Sequence, residues 1–551
     1  MTTAKPRPPL APGETRAFNR FRRGAKLMRS IALCWRDVGL HACTVVAAAW
    51  LVAGAHAQES RLGTVQFPTS ARAQEAQAHF VRGVAAMHSF WYPVALEEFR
   101  AATRIEPDFA MAHWGEAMAH NHPIWRDPQD TNAAREVLAR LPTPSSVTER
   151  EHAYLDAVKA LYGEGEKHAR DRAYAAAMEK IYRDHPDDLE AAAFYALALL
   201  GLAYGGGSSD ASEPRDPAAQ RTRMRAAAIA QEVFRREPNH PGAAHYMLHA
   251  FDDPDHAILA LPAARRYAEI APAAPHALHM PSHIFLQLGM WSDAVSANEA
   301  SWQASMSERI PDFHSLHWLL YGLLQQGREG DARPLLATMR DSLAKVPQDD
   351  MRNQIYGASI QATMSATYLV ETEQWDQAAE LLPSQSTPAG PQQGSDTSRY
   401  QAFVALAQSP VVFAHGLAAA MADSGDVQGA IATLERVRQQ IAGAPVPFAA
   451  NMAPVLQIQA LDIAAAADAA RGQVDEAIAT IRRATALEET MPVPPGPPPL
   501  IKPSHELLGE ILLRAGRHEE AAQAFATSLY RHPARARSLK GPAQASGQSR
   551  R

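Results

Sequence analysis

The sequence predicts an all-α solenoid of about ten antiparallel helix hairpins, and three observations predict it. His245 and His249 return 34 residues later as His279 and His283, and His317 follows His279 by 38; a helical hairpin repeat has about that length. Gly289, Gly327, Gly425, Gly472 and Gly516 each precede an alanine by five residues, namely Ala294, Ala332, Ala430, Ala477 and Ala521. The chain is also rich in Ala, Leu, Arg and Glu and poor in β-branched alternation, which favours helices throughout.

Taken from the N-terminus, residues 1–57 read as an export signal. Nine Lys and Arg stand there against Glu14 and Asp37, and Met28 is a second candidate start. An apolar run from Ala42 to Gly54 ends at Ala55-His56-Ala57, a small-x-small cleavage pattern. That run is too short for a spanning helix, so no membrane insertion is expected after cleavage, and the mature chain is expected in the periplasm or secreted. The leader carries +7 of a total charge of −6, which leaves −13 on the remainder. Such acidity argues against nucleic acid and anionic membrane as partners. Cys34 and Cys43 both fall in the leader. The mature chain therefore excludes disulfides, thiolate zinc, iron–sulfur clusters and covalent haem, and a metal must use His, Asp, Glu or water.

The hairpins follow in order. Residues 58–125 hold the N-terminal ones, in which Gly83, Ala95, Phe99, Ala102 and Pro107 mark two helices and a closing proline. Residues 126–237 are degenerate: Thr148 and Glu151 make a capping box, and the Gly/Ser run 205–209 marks a loop. Residues 238–382 are the His-rich repeats, 383–400 a loop, and 401–491 further repeats. The Pro-rich stretch 492–503 is stiff and extended, a strap feeding the last hairpin at 504–535. Residues 536–551 are expected to be a disordered tail. In each hairpin the glycine supplies a turn with positive φ, and the alanine lets the second helix approach the first.

These small residues and the closing proline resemble the tetratricopeptide repeat (TPR), over most of residues 70–535. The phrase His276-Ala277-Leu278-His279-Met280-Pro281-Ser282-His283 also resembles exported bacterial proteins of this repeat class, a resemblance that implies no activity. A solenoid of this kind leaves a concave surface lined by its first helices.

Counting back fifteen residues from the alanine of each second helix gives His245, His279, His317, Thr363, His415, Asp462 and Glu506. Counting back eleven gives His249, His283, Tyr321 and, in the last hairpin, Glu510. One turn before the first set stand His276 and His314. With only 23 histidines in 551 residues, this concentration singles out one stretch. The resemblance implies that these positions face the groove. His245 with His249, and His279 with His283, share helix faces at i, i+4, a spacing that lets two imidazoles bind one ion such as Zn, Cu, Ni or Fe. The candidate metal set is therefore His245, His249, His279 and His283, with His276, His314 and His317 beside it. Tyr321, His415, Asp462, Glu506 and Glu510 are the remaining groove candidates. Pro281 falls inside the proposed first helix and is expected to distort it.

Near the N-terminus His79 and His113 are 34 apart, as are His88 and His122. By the resemblance, His79 and His113 occupy an interhelix packing position. His88, Glu116, His120 and His122, with Trp91 and Trp125, are candidates to extend the groove. Asp252-Asp253-Pro254-Asp255 lacks the alternation of a calcium loop and reads as a turn. Phosphate-loop, dinucleotide and Ser–His–Asp patterns are missing from the sequence. Three readings stay open: a scaffold holding a protein, peptide or small ligand in a His-lined groove with a divalent metal; a metal-dependent enzyme with Tyr321 or Glu510 as proton-transfer group; and a peptide adaptor without metal.

Overall fold

Every turn glycine singled out above adopts the left-handed backbone that only glycine enters freely: φ is 68° at Gly289, 71° at Gly327, 81° at Gly425, 77° at Gly472 and 73° at Gly516. The computed structural model describes residues 61–124, 129–142, 147–204, 217–383, 395–422, 425–443 and 449–545. The leader, Trp125, the 205–209 loop and most of 383–394 lie outside these residues. The described residues lie in one compact unit.

The chain begins with α1 (Gln74–His88), α2 (Tyr92–Ile105), α3 (Ala110–Met118), α4 (Thr131–Ala139), α5 (Glu149–Leu161), α6 (Lys167–Asp184), α7 (Leu189–Ala203) and α8 (Pro217–Arg236). The histidine-bearing middle follows as α9 (Pro241–Ala250), α10 (Ala257–Ile270), α11 (Pro275–His279), α12 (Pro281–Gln287), α13 (Trp291–Ser305), α14 (Phe313–Gln325), α15 (Glu329–Leu343) and α16 (Met351–Thr372). The C-terminal part is α17 (Ala378–Leu381), α18 (Ser395–Met421), α19 (Val427–Gly443), α20 (Ala449–Ala470), α21 (Val474–Thr490), α22 (Ser504–Arg514), α23 (His518–Arg531) and α24 (Ala536–Ala545). Every helix but α4 packs on its successor, and first helices stack in file, α1 on α3, α3 on α5, α7 on α9, and α14 through α16, α18 and α20 to α22 and α24. This is the all-α repeat solenoid the spacing predicts. Tyr400–Met421 is long and apolar enough to cross a membrane, yet 67% of its apolar window is buried between neighbouring helices, as in a core helix.

Small residues explain the close crossings. A Cβ on Gly83 or Gly115 would lie 2.6 Å or 2.3 Å from the ring of Phe99, and one on Gly509 or Gly541 would lie 2.8 Å or 2.3 Å from Phe525. Both sets are spaced by sixteen residues, so Gly541 belongs to a further first helix. The expected tail therefore needs correction: residues 536–545 form α24, packed on α22 and α23. Its entry is fixed by Arg535, which is fully buried and pairs with Glu506 at 2.8 and 3.0 Å and with Glu371 at 2.6 Å.

The two ends also curl inward. At the N-terminus α1 reaches α9, and Thr64 N–H donates to the Asn239 carbonyl at 2.9 Å. At the C-terminus Trp291 donates to the Ala534 carbonyl at 3.0 Å, and Ala536 N–H donates to Gln325 at 2.9 Å. The strap crosses the same region: Gln287 donates to the Pro494 carbonyl at 3.3 Å, and Gly496 lies against the Trp318 ring.

Candidate metal centre

Helix α9 carries His245 and His249 on one face. α11 carries His276 and His279 on another, α12 adds His283, and α14 adds His314. Pro281 has no N–H to give to Ala277 and breaks the helix at Met280. The break leaves the i, i+4 pairing intact, because His279 Nε2 and His283 Nε2 lie 3.1 Å apart. The four histidines expected to share an ion do not form one set. Their side chains fall into two triads instead, His245, His249 and His276, and His279, His283 and His314, each with nitrogens converging within 4.8 Å. His317 belongs to neither.

In the first triad His245 Nε2 lies 3.0 Å from His249 Nε2 and 3.1 Å from His276 Nε2. His245 Nδ1 donates to the backbone carbonyl of His88 at 2.7 Å. That acceptor holds the ring proton on Nδ1 and leaves Nε2 a bare lone pair aimed at its neighbours. In the second triad His279 Nδ1 donates to Asn298 Oδ1 at 2.7 Å, while Asn298 Nδ2 donates to the Ala294 carbonyl at 2.8 Å, which fixes the amide's orientation. His283 Nδ1 donates to Asp252 Oδ2 at 2.7 Å. Two neutral rings so oriented face each other through lone pairs, and only a proton or a metal cation between them removes the repulsion. A tetrahedral ion bound at about 2.0–2.1 Å sets its nitrogens about 3.3 Å apart, close to the spacing found. Donation of the second ring N–H to carbonyl or carboxylate is the outer-shell pattern of metal-bound imidazole. Burial pulls His245 and His279 down to about 3, so both rings hold their lone pairs at neutral pH.

Aromatic rings wall the triads. Trp318 lies 4.4 Å from His283, 5.0 Å from His279 and 5.3 Å from His314 by ring centroids. Phe90 meets His245 edge-on at 4.4 Å and stacks on His249 and His276 at 5.7 and 5.6 Å. Phe90 has φ of 54°, and it precedes Ala95 by five residues, so it stands where the other hairpins place glycine. The Trp91 N–H closes the same turn onto the Ala86 carbonyl that Met290 closes onto Phe285. A bulky residue there costs about 1–2 kcal/mol, and its ring supplies a wall of the first triad.

A third group, His88, Glu190 and His240, is fully buried and differs in kind. His240 Nδ1 accepts the Ala243 N–H at 3.1 Å, so its Nε2–H donates to Glu190 at 3.2 Å. His88 Nε2 donates to the other Glu190 oxygen at 2.7 Å, and Tyr246 OH donates to His88 Nδ1 at 2.7 Å. Every nitrogen is satisfied by a proton or an acceptor. Burial raises Glu190, but the imidazoles of His240 and His88 outweigh it and hold the carboxyl well below its usual range. This group ties α1, α7 and α9 together, and Gly242 permits it, since a Cβ there would lie 2.5 Å from His88 Nδ1.

The remaining candidates disperse. Tyr321 OH accepts from Arg535 at 3.2 Å, and Lys502 pairs with Glu506 at 3.3 Å and Glu510 at 2.6 Å. These residues form the internal knot under α24, not a groove wall, because the curled C-terminus brings arginines onto them. Asp462 is fully buried and accepts from Ser504 at 2.9 Å; burial raises it well above the usual carboxylate range. His415 is exposed. His113 packs against the Pro107 carbonyl, while half-buried His79 pairs with Glu98 at 2.7 Å. Glu116 pairs with Arg100 at 2.8 Å, and His122 packs on Tyr92. The Asp252–Asp255 segment is a turn, with Asp253 accepting from the N–H groups of Asp255 and His256 at 3.1 Å. Sequence reasoning missed Asn298, Glu190 and His240, and it missed Asp252 as an acceptor. Asn298 is four residues past the ruler alanine Ala294, and that spacing was the one available signal.

No family model and no curated protein matches the chain. Among solved structures it is similar to the human IFIT1 dimer with PPP-AAAA, at 13% identity and a TM-score of 0.36, covering 86% of this chain and 94% of that one. The human IFIT1 dimer with m7Gppp-AAAA gives 12% identity and 0.33, with 78% and 93% covered. The TPR domain of P58(IPK) gives 13% and 0.22, with 86% and 99% covered. By its own helix order and sequential packing, the chain is an all-α protein of stacked helix hairpins.

Proposed function

We propose that this chain is an exported repeat protein that binds transition-metal ions, one in each histidine triad, and works in the periplasm. The observation that carries the reading is the pair His279 and His283, whose Nδ1 protons are both committed to oxygen acceptors while their Nε2 atoms face each other at 3.1 Å. His283, His276 and His314 are half-buried, which leaves an entry path for an ion. The solenoid surface around them supports a scaffold role toward a protein, peptide or small ligand.

Proton and metal compete for the same lone pairs, so binding should release protons and weaken as pH falls. The test is elemental mass spectrometry on protein exported and purified without a histidine tag. Near-stoichiometric metal, lost in His245→Ala with His279→Ala while circular dichroism stays helical, supports the reading. A metal-free protein after growth in media supplemented with zinc, copper, nickel and iron overturns it.

A further inference from the structure

We infer that the two triads form one paired copper centre, filled as Cu(I), whose open coordination positions take dioxygen. This rests on the metal-binding reading above and adds the metal, the pairing and the ligand.

The pairing comes from α11. His276 serves the first triad and His279 the second from one face of the same short helix, with ring centroids 6.3 Å apart. The chain also crosses between sites through Asp252, which follows α9 and holds His283 of the second triad at 2.7 Å. Two ions here share one wall of imidazole instead of occupying separate repeats.

The metal follows from charge. All six candidate ligands are imidazole rings, which bring no negative charge to an ion. Neither converging set contains a carboxylate, and Asp252 touches His283 through Nδ1, on the far side of the ring from Nε2. An ion in the first triad would keep its whole charge in an interior lined by Phe90 and fully buried His245. The desolvation cost grows with the square of the charge, so a monovalent ion pays about a quarter of what a divalent one does. Among the metals that imidazole suits, zinc, copper, iron and nickel, copper is the one with an accessible monovalent state, and as Cu(I) it accepts three ligands without strain.

Three protein ligands leave each ion an open position. Phe90 and Trp318 lie 4.4 Å from the nearest imidazole of each triad, so the surroundings are apolar. Dioxygen, small and apolar itself, suits such surroundings and the electron count. Each Cu(I) gives up one electron, two Cu(II) result, and dioxygen becomes a bound peroxide with no proton required.

The test uses the full chain without a tag, loaded with cuprous ion under anaerobic conditions and then exposed to air. Two copper ions per chain, uptake of one dioxygen per two copper, a new near-ultraviolet charge-transfer band and no electron paramagnetic resonance signal would bear the inference out. His276→Phe should then give an isolated Cu(II) signal with the helical circular dichroism unchanged, and His317→Ala, outside both triads, should leave the pair intact. Two isolated Cu(II) signals in the unaltered chain would overturn the pairing, and preferential retention of zinc over cuprous ion would overturn the metal assignment. Both of those results leave the metal-binding reading standing. A protein that binds neither metal overturns this inference, and one that also takes up no nickel or iron removes the metal-binding reading with it.

Discussion

Replacing Asn298 by leucine tests the proposed centre without touching a ligand. Asn298 is fully buried, and its Oδ1 is the acceptor that holds the His279 proton on Nδ1. Leucine fills nearly the same volume and accepts nothing. The His279 Nδ1–H is then buried without a partner, which costs about 1–3 kcal/mol of stability without metal. The Ala294 carbonyl loses only the Asn298 Nδ2 donor, a small addition. With metal, loss of an outer-shell acceptor weakens binding by about 10–100-fold, or about 1.4–2.7 kcal/mol. Asn298→Asp restores the acceptor with a negative charge and should bind more tightly than the unaltered chain. Affinity is read by competition with a chromophoric chelator, and stability by urea unfolding of metal-free protein. If Asn298→Leu loses stability but keeps the parent's metal affinity, His279 is no ligand and the second triad is a hydrogen-bonded cluster.

Arg535→Met leaves Glu506 and Glu371 in the interior with only Lys502 and Arg537 for compensation, and should cost about 3–5 kcal/mol in urea unfolding; a loss under about 1 kcal/mol would mean that the knot does not hold the C-terminal end closed. Phe90→Gly relieves about 1–2 kcal/mol of turn strain but removes a buried ring worth about 3–5 kcal/mol. The net loss of roughly 2 kcal/mol should come with faster metal exchange at the first triad, measured by stopped-flow chelation. Glu190 is held below its usual range, so its contribution is present above about pH 4.3 and is lost as pH falls towards the depressed folded value; Glu190→Gln should lower stability at pH 7 and flatten the acid limb. Asp462 is shifted the other way, so the stability it allows at low pH is lost as pH rises past the usual carboxylate value. Asp462→Asn, which keeps the Ser504 bond, should therefore unfold at higher temperature than the parent at neutral pH.

The hairpins and their turns were legible because both depend on neighbours in sequence. A glycine five residues before a small residue specifies a helix end and a crossing, and each such glycine has the required backbone. The histidines were legible as a concentration, but not as two triads, because their grouping depends on the break at Met280–Pro281 and on how α14 lies over α12. The fifteen-residue ruler gives the face of a helix and cannot say what covers that face. It set His245 and His279 on the groove face, where the structure instead buries both rings, and in the same phase Glu506 meets an arginine and His415 meets solvent. Arg535 read as the last residue of the final hairpin and Arg537 as part of a disordered tail, since their partners Glu371 and Glu373 are about 160 residues away. The α24 helix was within reach: the sixteen-residue spacing of Gly509, Phe525 and Gly541 repeats that of Gly83, Phe99 and Gly115.

The inward curl of both ends bears on how such a chain can change over evolutionary time. Open solenoids gain and lose repeats freely, because each unit touches only the next. Here His88 must meet Tyr246 across 158 positions, and Arg535 must meet Tyr321 across 214. Inserting or deleting one hairpin between those partners would rotate the superhelix past its own contact and strand a buried arginine or a buried carboxylate. The number of hairpins within each curl is thus fixed by geometry, and variation is confined to loop length and to the unpaired outer faces of second helices.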